Sequence, residues 1–517
     1  MQTSVKIAPA GTPARIVAWL LLLLSVVSWP DLSAPPNSQT LWRQTQTSEL
    51  SRHFADNGFD LAALTLPVRG AERVPIVYEF PLFNFLQGLL YLAGIEVALA
   101  GKLLSFAGAA VLLVLLVRWL HGRWGAASAW AGGLAFVLNP ISVLMHTSAQ
   151  PDVLATLLVS SCALLLVMPR PGQHIELRRW SVAVALGLVA AVIKYPVVVP
   201  WLPLLIFLAL RNRDGAWRIP PFQHLGVVVV CGALFLCWHV YRRAAFPDVL
   251  QTDERLRAMF LLGDLTRFLH PAFYLKPVIT LSVFLGCGVG ALVIMRGILK
   301  REPIAWFFAV GTALYYIVIP TVADQYYYLY ALVPLSAAAV GRGVSQLTGC
   351  GRTERHILVA CSAAIVLPLL ALLYPYVLRR DQVIIEAAAA TRAATKTGKE
   401  LVLFAPNHDR VIGRGTFNPA FFFFSGLAGW IRDSRDPADL LHEARSLGAD
   451  FLVITSYSPD LEVWWSRWMP DRFKNDPGFS MFAEIPPGTF PAEHVRQAKN
   501  WIVVDLRFLG KANDHVH

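Results

Sequence analysis

The chain has 517 residues, of which 56% are apolar and 15% charged, and its mean hydropathy is +0.51. Soluble domains carry roughly a quarter charged residues, so this balance excludes an ordinary soluble enzyme and describes an integral membrane protein. The net charge of +11 does not imply nucleic acid, because Lys and Arg punctuate the gaps between apolar runs instead of forming one basic face with interleaved aromatics.

The N-terminus, MQTSVKIAPAGTPARIVAWLLLLLSVVSW, has the basic start and apolar core of a secretory leader. It lacks a clear small-residue cleavage site and many apolar runs follow it, so an uncleaved first span is expected. Runs of about 15 to 24 apolar residues can cross a bilayer. They fall at 16–29, 97–119, 126–145, 153–168, 180–193, 197–210, 223–241, 277–295, 303–320, 326–340 and 356–378. The fold class expected is a polytopic α-helical membrane protein of about eleven spans, with twelve or thirteen as alternatives.

The run 81–94 is the ambiguous one, being short and carrying Asn84 and Gln87. Short cytoplasmic loops are enriched in Lys and Arg. The basic clusters are Lys6 with Arg15, Arg118 with Arg123, Arg170 with Arg178 and Arg179, Arg211 with Arg213 and Arg218, Arg296 with Lys300 and Arg301, and Arg342 with Arg352 and Arg355. All of them share one side only if 81–94 does not cross, so it is read as an interfacial or re-entrant helix.

The opposite side then receives a large first external loop, 30–96, the short HTSAQPD link at 146–152, the Lys194-Tyr195-Pro196 hairpin, the loop from about 242 to 276, Ala323-Asp324-Gln325 and everything after Arg379. It gathers isolated ionisable residues beside Pro and aromatics: Arg43, Glu49, Glu79, Asp152, Lys194, His270 and Asp324. Charges held near the membrane usually have partners or ligands. Each also has a plainer reading. Trp42 and Arg43 suit a bilayer-edge anchor, Asp152 suits the first turn of a helix, and Tyr326 to Tyr328 suit an aromatic belt. Lys194 divides an otherwise apolar stretch, so either the chain turns there or the lysine faces an aqueous cavity; Pro196 favours the break.

Six cysteines, at 162, 231, 237, 287, 350 and 361, lie in or beside apolar runs without CxxC or metal spacing, so neither a disulfide framework nor a zinc site is expected. After Leu378 the composition changes. Strand-like LVLF at 401–404, FLVIT at 451–455 and WIVVDL at 501–506 surround DPADLLHEARSLG, with Asp436 as N-cap, Pro437 at the first helical position and Gly448 as a stop. This predicts a transmembrane domain over 1–379 and a small C-terminal α/β domain over 380–517. No phosphate-binding glycine loop occurs in the latter. The FFFF run at 421–424 reads as a buried strand or a membrane-facing surface.

WRQTQT at 42–47, EFPLF at 79–83, AQPD at 149–152, KYP at 194–196 and DQYYYL at 324–329 resemble, in type and order, the signposts of type C glycosyltransferases. The likeness spans roughly residues 10 to 380 and is nearest to the bacterial family 39 group, related to protein O-mannosyltransferases and lipid A aminoarabinose transferases. It implies an inverting hexosyl- or pentosyltransferase of the bacterial inner membrane, taking a sugar from a polyprenyl-phosphate donor to a glycan, lipid or protein acceptor outside the cytoplasm. It also implies an acidic base in the first external loop. Many relatives carry Asp in the pattern WRQ-x-D-T, where this chain has Gln46.

Gln cannot accept a proton as a general base. Glu79 is therefore the first candidate and Glu49, one helical turn beyond Gln46, the second, with Asp56, Asp60 and Glu72 behind them. Under the resemblance, Arg43 and Lys194 neutralise the donor phosphate, Gln46 and Tyr327 line the donor, and Asp152 or Asp324 orients the sugar or binds an optional divalent metal. The competing readings are a transporter or lipid-linked sugar flippase, and a glycan polymerase or ligase. Transporters place their ions near the bilayer midplane between discontinuous helices, whereas here the isolated charges gather at span ends and in the outer loop.

Overall fold

The computed structural model describes residues 12–32, 34–36, 41–70, 72–75, 79–167, 176–210, 222–245, 289–319, 326–347, 382–406, 420–431, 437–455, 495–498 and 501–507. In chain order the elements are α1 (Thr12–Leu32), α2 (Leu41–Asp56), β1 (Thr65–Gly70), β2 (Glu72–Pro75), α3 (Leu82–Leu92), α4 (Val97–Trp124), α5 (Ala126–Val137), α6 (Pro140–His146), α7 (Asp152–Val167), α8 (Leu177–Val198), α9 (Leu202–Leu210) and α10 (Phe222–Ala245). They continue with α11 (Val289–Leu299), α12 (Pro303–Val318), a 3-10 segment Tyr326–Leu332, α13 (Val333–Leu347), α14 (Gln382–Ala394), β3 (Leu401–Pro406), α15 (Ala420–Ser425), β4 (Ala428–Ile431), α16 (Pro437–Ser446), β5 (Phe451–Thr455), β6 (Val495–Ala498) and β7 (Trp501–Asp505). The chain divides into two compact units, Met1–Pro35 with Val77–Leu378, and Pro36–Ile76 with Arg379–His517.

The first unit is helical. Among the described residues, Pro13–Leu32, Val97–Trp124, Leu177–Ala209 and Gly226–Ala245 are long and apolar enough to cross a bilayer, with a fifth span if Ala126–Val137 and Pro140–His146, bent by 65°, count as one. The bend has a local cause. Asn139 is extended ahead of Pro140, and its side chain caps the new helix by accepting the Ile141 N–H at 2.9 Å. On α1, Ile16, Leu20 and Leu24 are buried four residues apart, while Trp19, Leu22, Val26 and Trp29 stay exposed. A helix that packs one apolar face and leaves another outward is suited to a hydrocarbon solvent.

Several expected boundaries move. The run at 326–340 opens as a 3-10 segment and becomes α-helical only from Val333. The run at 356–378 and the first part of 277–295 lie outside the described residues. The run at 81–94 forms only the eleven-residue α3, roughly 16 Å long against an apolar layer of about 30 Å. It packs closely on α4, where Gln87 donates to the Val97 carbonyl at 2.7 Å. A Cβ on Gly101 would lie 2.6 Å from both Gln87 and Ala149, so only glycine leaves room for that approach.

The stretch Leu177–Ala209 turns back on itself at Lys194. Twenty-two residues of straight helix would separate Leu205 from Ala183 by roughly 33 Å, yet Leu205 and Leu208 pack against the cluster of Cys162, Leu166, Trp180 and Ala183. The returning arm is held by Trp201, whose indole donates to the Ala331 carbonyl at 2.8 Å. Gly311 on α12 helps too: a Cβ there would sit 2.2 Å from the Pro200 carbonyl oxygen.

The second unit is a seven-stranded mixed sheet in the order β2-β1-β4-β3-β5-β7-β6, with β3 parallel to β4 and to β5 and the other pairs antiparallel. Its central strands are buried on both faces, as parallel strands require. One face packs Leu403, Leu452, Ile454 and Val504 with Leu440 and Ala444 of α16. On the other, Phe404 stacks on Phe421 at 4.6 Å between ring centroids. The three expected strands occur, and α16 starts at Pro437 with Gly448 at φ +70° beyond its end; Asp436 lies outside the described residues. The FFFF run is the short helix α15 rather than a strand, with Phe421 and Phe422 buried. Residues 36–76, read from sequence as part of the membrane portion's outer loop, supply β1 and β2 to this sheet.

Candidate active site

The site in the first unit begins with a proline. At position 196 there is no amide hydrogen to pair with the Val192 carbonyl, so the helix loses that bond and Lys194 takes an extended conformation (φ −158°, ψ 86°). The released carbonyl is taken from elsewhere in the sequence: Phe80 N–H donates to Val192 O at 3.1 Å. That bond fixes Glu79-Phe80-Pro81 beside the break, with α3 clasped to α4 behind it. Phe80 also meets Trp238 edge-on, at 5.0 Å between centroids.

Lys194 is 2% exposed, so it neither snorkels nor faces open water in this state. Its ammonium donates to Asp152 Oδ2 at 2.6 Å, and Glu79 Oε1 lies at 3.8 Å. The Tyr328 and Tyr327 rings face it at 5.0 and 5.7 Å. Tyr327 and Tyr328 are both buried, unlike residues of an exposed aromatic belt. Asp152 opens α7 as expected, but it is 1% exposed and spends its charge on Lys194. Glu79 is 26% exposed and is the accessible carboxylate of the three-charge group. Two carboxylates around one ammonium leave a net negative charge, and the aromatic faces help hold the cation.

The link 146–152 is buried throughout, not an exposed connection. Thr147 hydrogen-bonds the Asp31 carboxylate at the end of α1, and Lys102 of α4 donates to the Asp31 and Ala34 carbonyls at 2.5 and 2.6 Å. Lys102 and Asp31 were not singled out by the sequence. Lys102 has a legible signal, as a lone cation inside an otherwise apolar span. His146 lies 5.8 Å from Tyr330, ring to ring, and among the described residues neither imidazole nitrogen finds a hydrogen-bond partner.

The remaining expected residues lie on α2 in the second unit. Arg43 donates to Gln46 Oε1 at 2.9 Å and stands over the Trp42 ring at 5.9 Å. Glu49 forms a close ion pair with Arg52 on the same helix. Asp324 lies outside the described residues. No group of three or more His, Cys, Asp or Glu suited to a metal ion occurs among the described residues.

No family model matches the sequence, and no curated protein does. Solved structures do. ArnT from Cupriavidus metallidurans bound to undecaprenyl phosphate aligns with a TM-score of 0.60 at 13% identity, covering 96% of this chain and 98% of that one. Its apo state aligns at 0.56 and 12%, over 95% and 98%. The Archaeoglobus fulgidus oligosaccharyltransferase in the apo form aligns at 0.52 and 10%, over 86% of this chain and 70% of that one. The chain has the fold of the type C glycosyltransferases. A type C fold is a multi-pass membrane scaffold, in keeping with the outward apolar faces of α1 and α10.

Proposed function

We propose that the protein is a glycosyltransferase of the bacterial inner membrane that moves a sugar from a polyprenyl-phosphate donor to an extracytoplasmic glycan, lipid or protein acceptor. The observation that carries this is Lys194: a buried ammonium at a helix break, held between two carboxylates, that makes a single hydrogen bond among the described residues. An ammonium has three donors, so capacity remains for an anionic ligand. The full-length structural match to a protein captured with undecaprenyl phosphate supports a lipid phosphate as that anion.

In the reaction, the acceptor oxygen attacks the anomeric carbon from the face opposite the carrier. The bond from that carbon to the phosphate oxygen breaks, and its electron pair leaves with the polyprenyl phosphate. The acceptor proton passes to Glu79, the best placed of the candidate carboxylates because it is both partly exposed and tied to the Lys194 break. Lys194 stabilises the charge that develops on the leaving phosphate, and the sequence resemblance gives Arg43 the same task. Asp152 orients Lys194 through their 2.6 Å hydrogen bond, and Tyr327 contributes an aromatic wall.

The test is a panel of polyprenyl-phosphate sugars offered to the purified full-length chain, with release of carrier phosphate as the readout. Release with at least one donor, lost in Lys194→Met, is expected. Donor movement across a vesicle bilayer with no release would instead indicate a flippase.

A further inference from the structure

Beside the Lys194 pair, at the head of α7, lie polar groups that the protein itself does not use. Asp152 gives one oxygen, Oδ2, to Lys194, while its Oδ1 is buried without a hydrogen-bond partner among the described residues. Gln150, two positions earlier and fully buried, pairs neither its amide oxygen nor its amide nitrogen. A carboxamide carries two donors and two acceptor sites. Most buried side-chain polar atoms are hydrogen-bonded, because burying them unpaired is costly. The backbone that presents this amide is nevertheless firmly held. Ser105 of α4 donates to the Ser148 carbonyl at 2.5 Å, the Gln150 N–H donates to the same carbonyl at 2.7 Å, and the Ala155 N–H donates to the Pro151 carbonyl at 2.9 Å. Gln150 thus stands on a fixed frame with its hydrogen-bonding capacity unspent.

We propose that Gln150, together with Asp152 Oδ1, binds hydroxyl groups of an uncharged donor sugar. The inference rests on reading Lys194 as the donor-phosphate contact. One carboxylate links the two tasks: Oδ2 holds the ammonium, and Oδ1, on the same carbon, is left to accept from a ligand. In the donor, the sugar hangs from the phosphate by one bridging oxygen, so a phosphate on Lys194 brings the sugar ring close to Oδ1. The Cα atoms of Gln150 and Asp152 are at most about 7.6 Å apart, so a single ring can reach both side chains. A sugar hydroxyl both gives and accepts hydrogen bonds, and an amide answers it in both senses. Gln150, Asp152 and Lys194 are each no more than 2% exposed; the opening that admits a phosphate to the ammonium admits the sugar to the other two. The same groups select against charge. An amino sugar calls for a carboxylate without a cation of its own and a uronic acid for a spare cation, whereas Asp152 and Lys194 hold one another and Gln150 is neutral.

The experiment is calorimetry on the full-length chain in lipid nanodiscs, comparing sugar-free polyprenyl phosphate with polyprenyl phosphates that carry a hexose, a pentose or an amino sugar. Wild type should bind at least one neutral-sugar donor about tenfold more tightly than the bare carrier, the worth of a pair of hydrogen bonds of ordinary strength. The amino-sugar donor should gain less. Gln150→Met keeps the length of the side chain and removes the amide. In that variant the preference should fall to about threefold or less, while affinity for the bare carrier stays within about twofold. Its thermal stability should hold or rise, because replacing an unpartnered buried amide by an apolar group leaves no other group stranded. Gln150→Asn, which keeps a shorter amide, should retain part of the preference and carries the test should the methionine variant fold poorly. An undiminished preference in both variants overturns the inference. So does a loss of stability in Gln150→Met with equal weakening of every probe, which marks a structural amide. An amino-sugar donor that outbinds the neutral ones overturns the assignment to an uncharged sugar. If wild type binds no carrier, bare or glycosylated, the functional reading falls and the inference with it. If wild type binds the bare carrier and prefers no neutral-sugar donor to it, only the inference falls.

Discussion

Lys194 and Asp152, forty-two positions apart, form a 2.6 Å ion pair with both side chains almost fully buried. A buried pair is weak evidence for stability as such, but removing one partner strands the other as an uncompensated charge. Lys194→Met or Asp152→Asn alone should each lower stability by about 3 to 5 kcal/mol, whereas Lys194→Met with Asp152→Leu should recover most of the loss. Thermal unfolding of the detergent-solubilised full chain measures this. Equal damage in the double variant would show that the two side chains are not energetically coupled.

The carboxylates Glu49 and Glu79 differ in what they are bound to. Glu49 is held closely by Arg52 on its own helix, while Glu79 is 26% exposed and 3.8 Å from the Lys194 ammonium. Glu79→Gln should reduce turnover by roughly 10² to 10⁴, the usual worth of general-base catalysis, with Glu49→Gln and Gln46→Ala costing far less. Gln46→Ala removes one neutral acceptor from Arg43, worth on the order of 0.5 to 1.5 kcal/mol. Near-wild-type turnover in Glu79→Gln with collapse in Glu49→Gln would relocate the base to α2.

Glu400, in the second unit, carries a pH-dependent share of stability. Burial pushes its carboxyl up, but the backbone N–H groups of Thr397 and Lys396, at 2.9 and 2.7 Å, outweigh that and hold it at about 2, below its ordinary 4.5. A folded-state value lower than the unfolded one stabilises above the unfolded value and is lost on acidification. Protection of the second unit in the intact chain should therefore fall between pH about 4.5 and about 2. Limited proteolysis across that window should show a flatter profile for Glu400→Gln; an unchanged slope would remove Glu400 from the account.

Under the proposed topology, in which all basic clusters are cytoplasmic and 81–94 does not cross, the chain after Arg379 is expected outside the cytoplasm. A C-terminal reporter active only in the cytoplasm should be silent, and one active only outside it should give signal. A strong cytoplasmic signal would invert the tail and the outer assignment of Glu79 together.

The break at Lys194 was legible because its cause is local: Pro196 lacks the amide that Val192 would need, whatever the rest of the chain does. The same holds for α16, framed by Pro437 and Gly448, and for the strands at 401–406, 451–455 and 501–505, each a short run of apolar and β-branched residues. The FFFF helix was not legible, because four aromatics suit a buried strand equally well and only the stacking of Phe421 on Phe404 decides between them. Nor was the partner of Lys194, since isolated charges in a sequence carry no record of which of them meet.

By itself the sequence determined the membrane character, the position of the turn at Lys194 and the strand content of the C-terminal segment, all of which follow from composition, period and proline chemistry over a few residues. Only the tertiary structure decided that Lys194 is shared between Asp152 and Glu79, that the Val192 carbonyl is satisfied by Phe80, and that Arg69 pairs with Trp430 to bring residues 65–75 into a sheet formed mainly by the far end of the chain. The reason is the same in each case. Buried donors, acceptors and charges must be matched, but which distant segment supplies the match depends on how the helices and strands pack, and no local pattern encodes it.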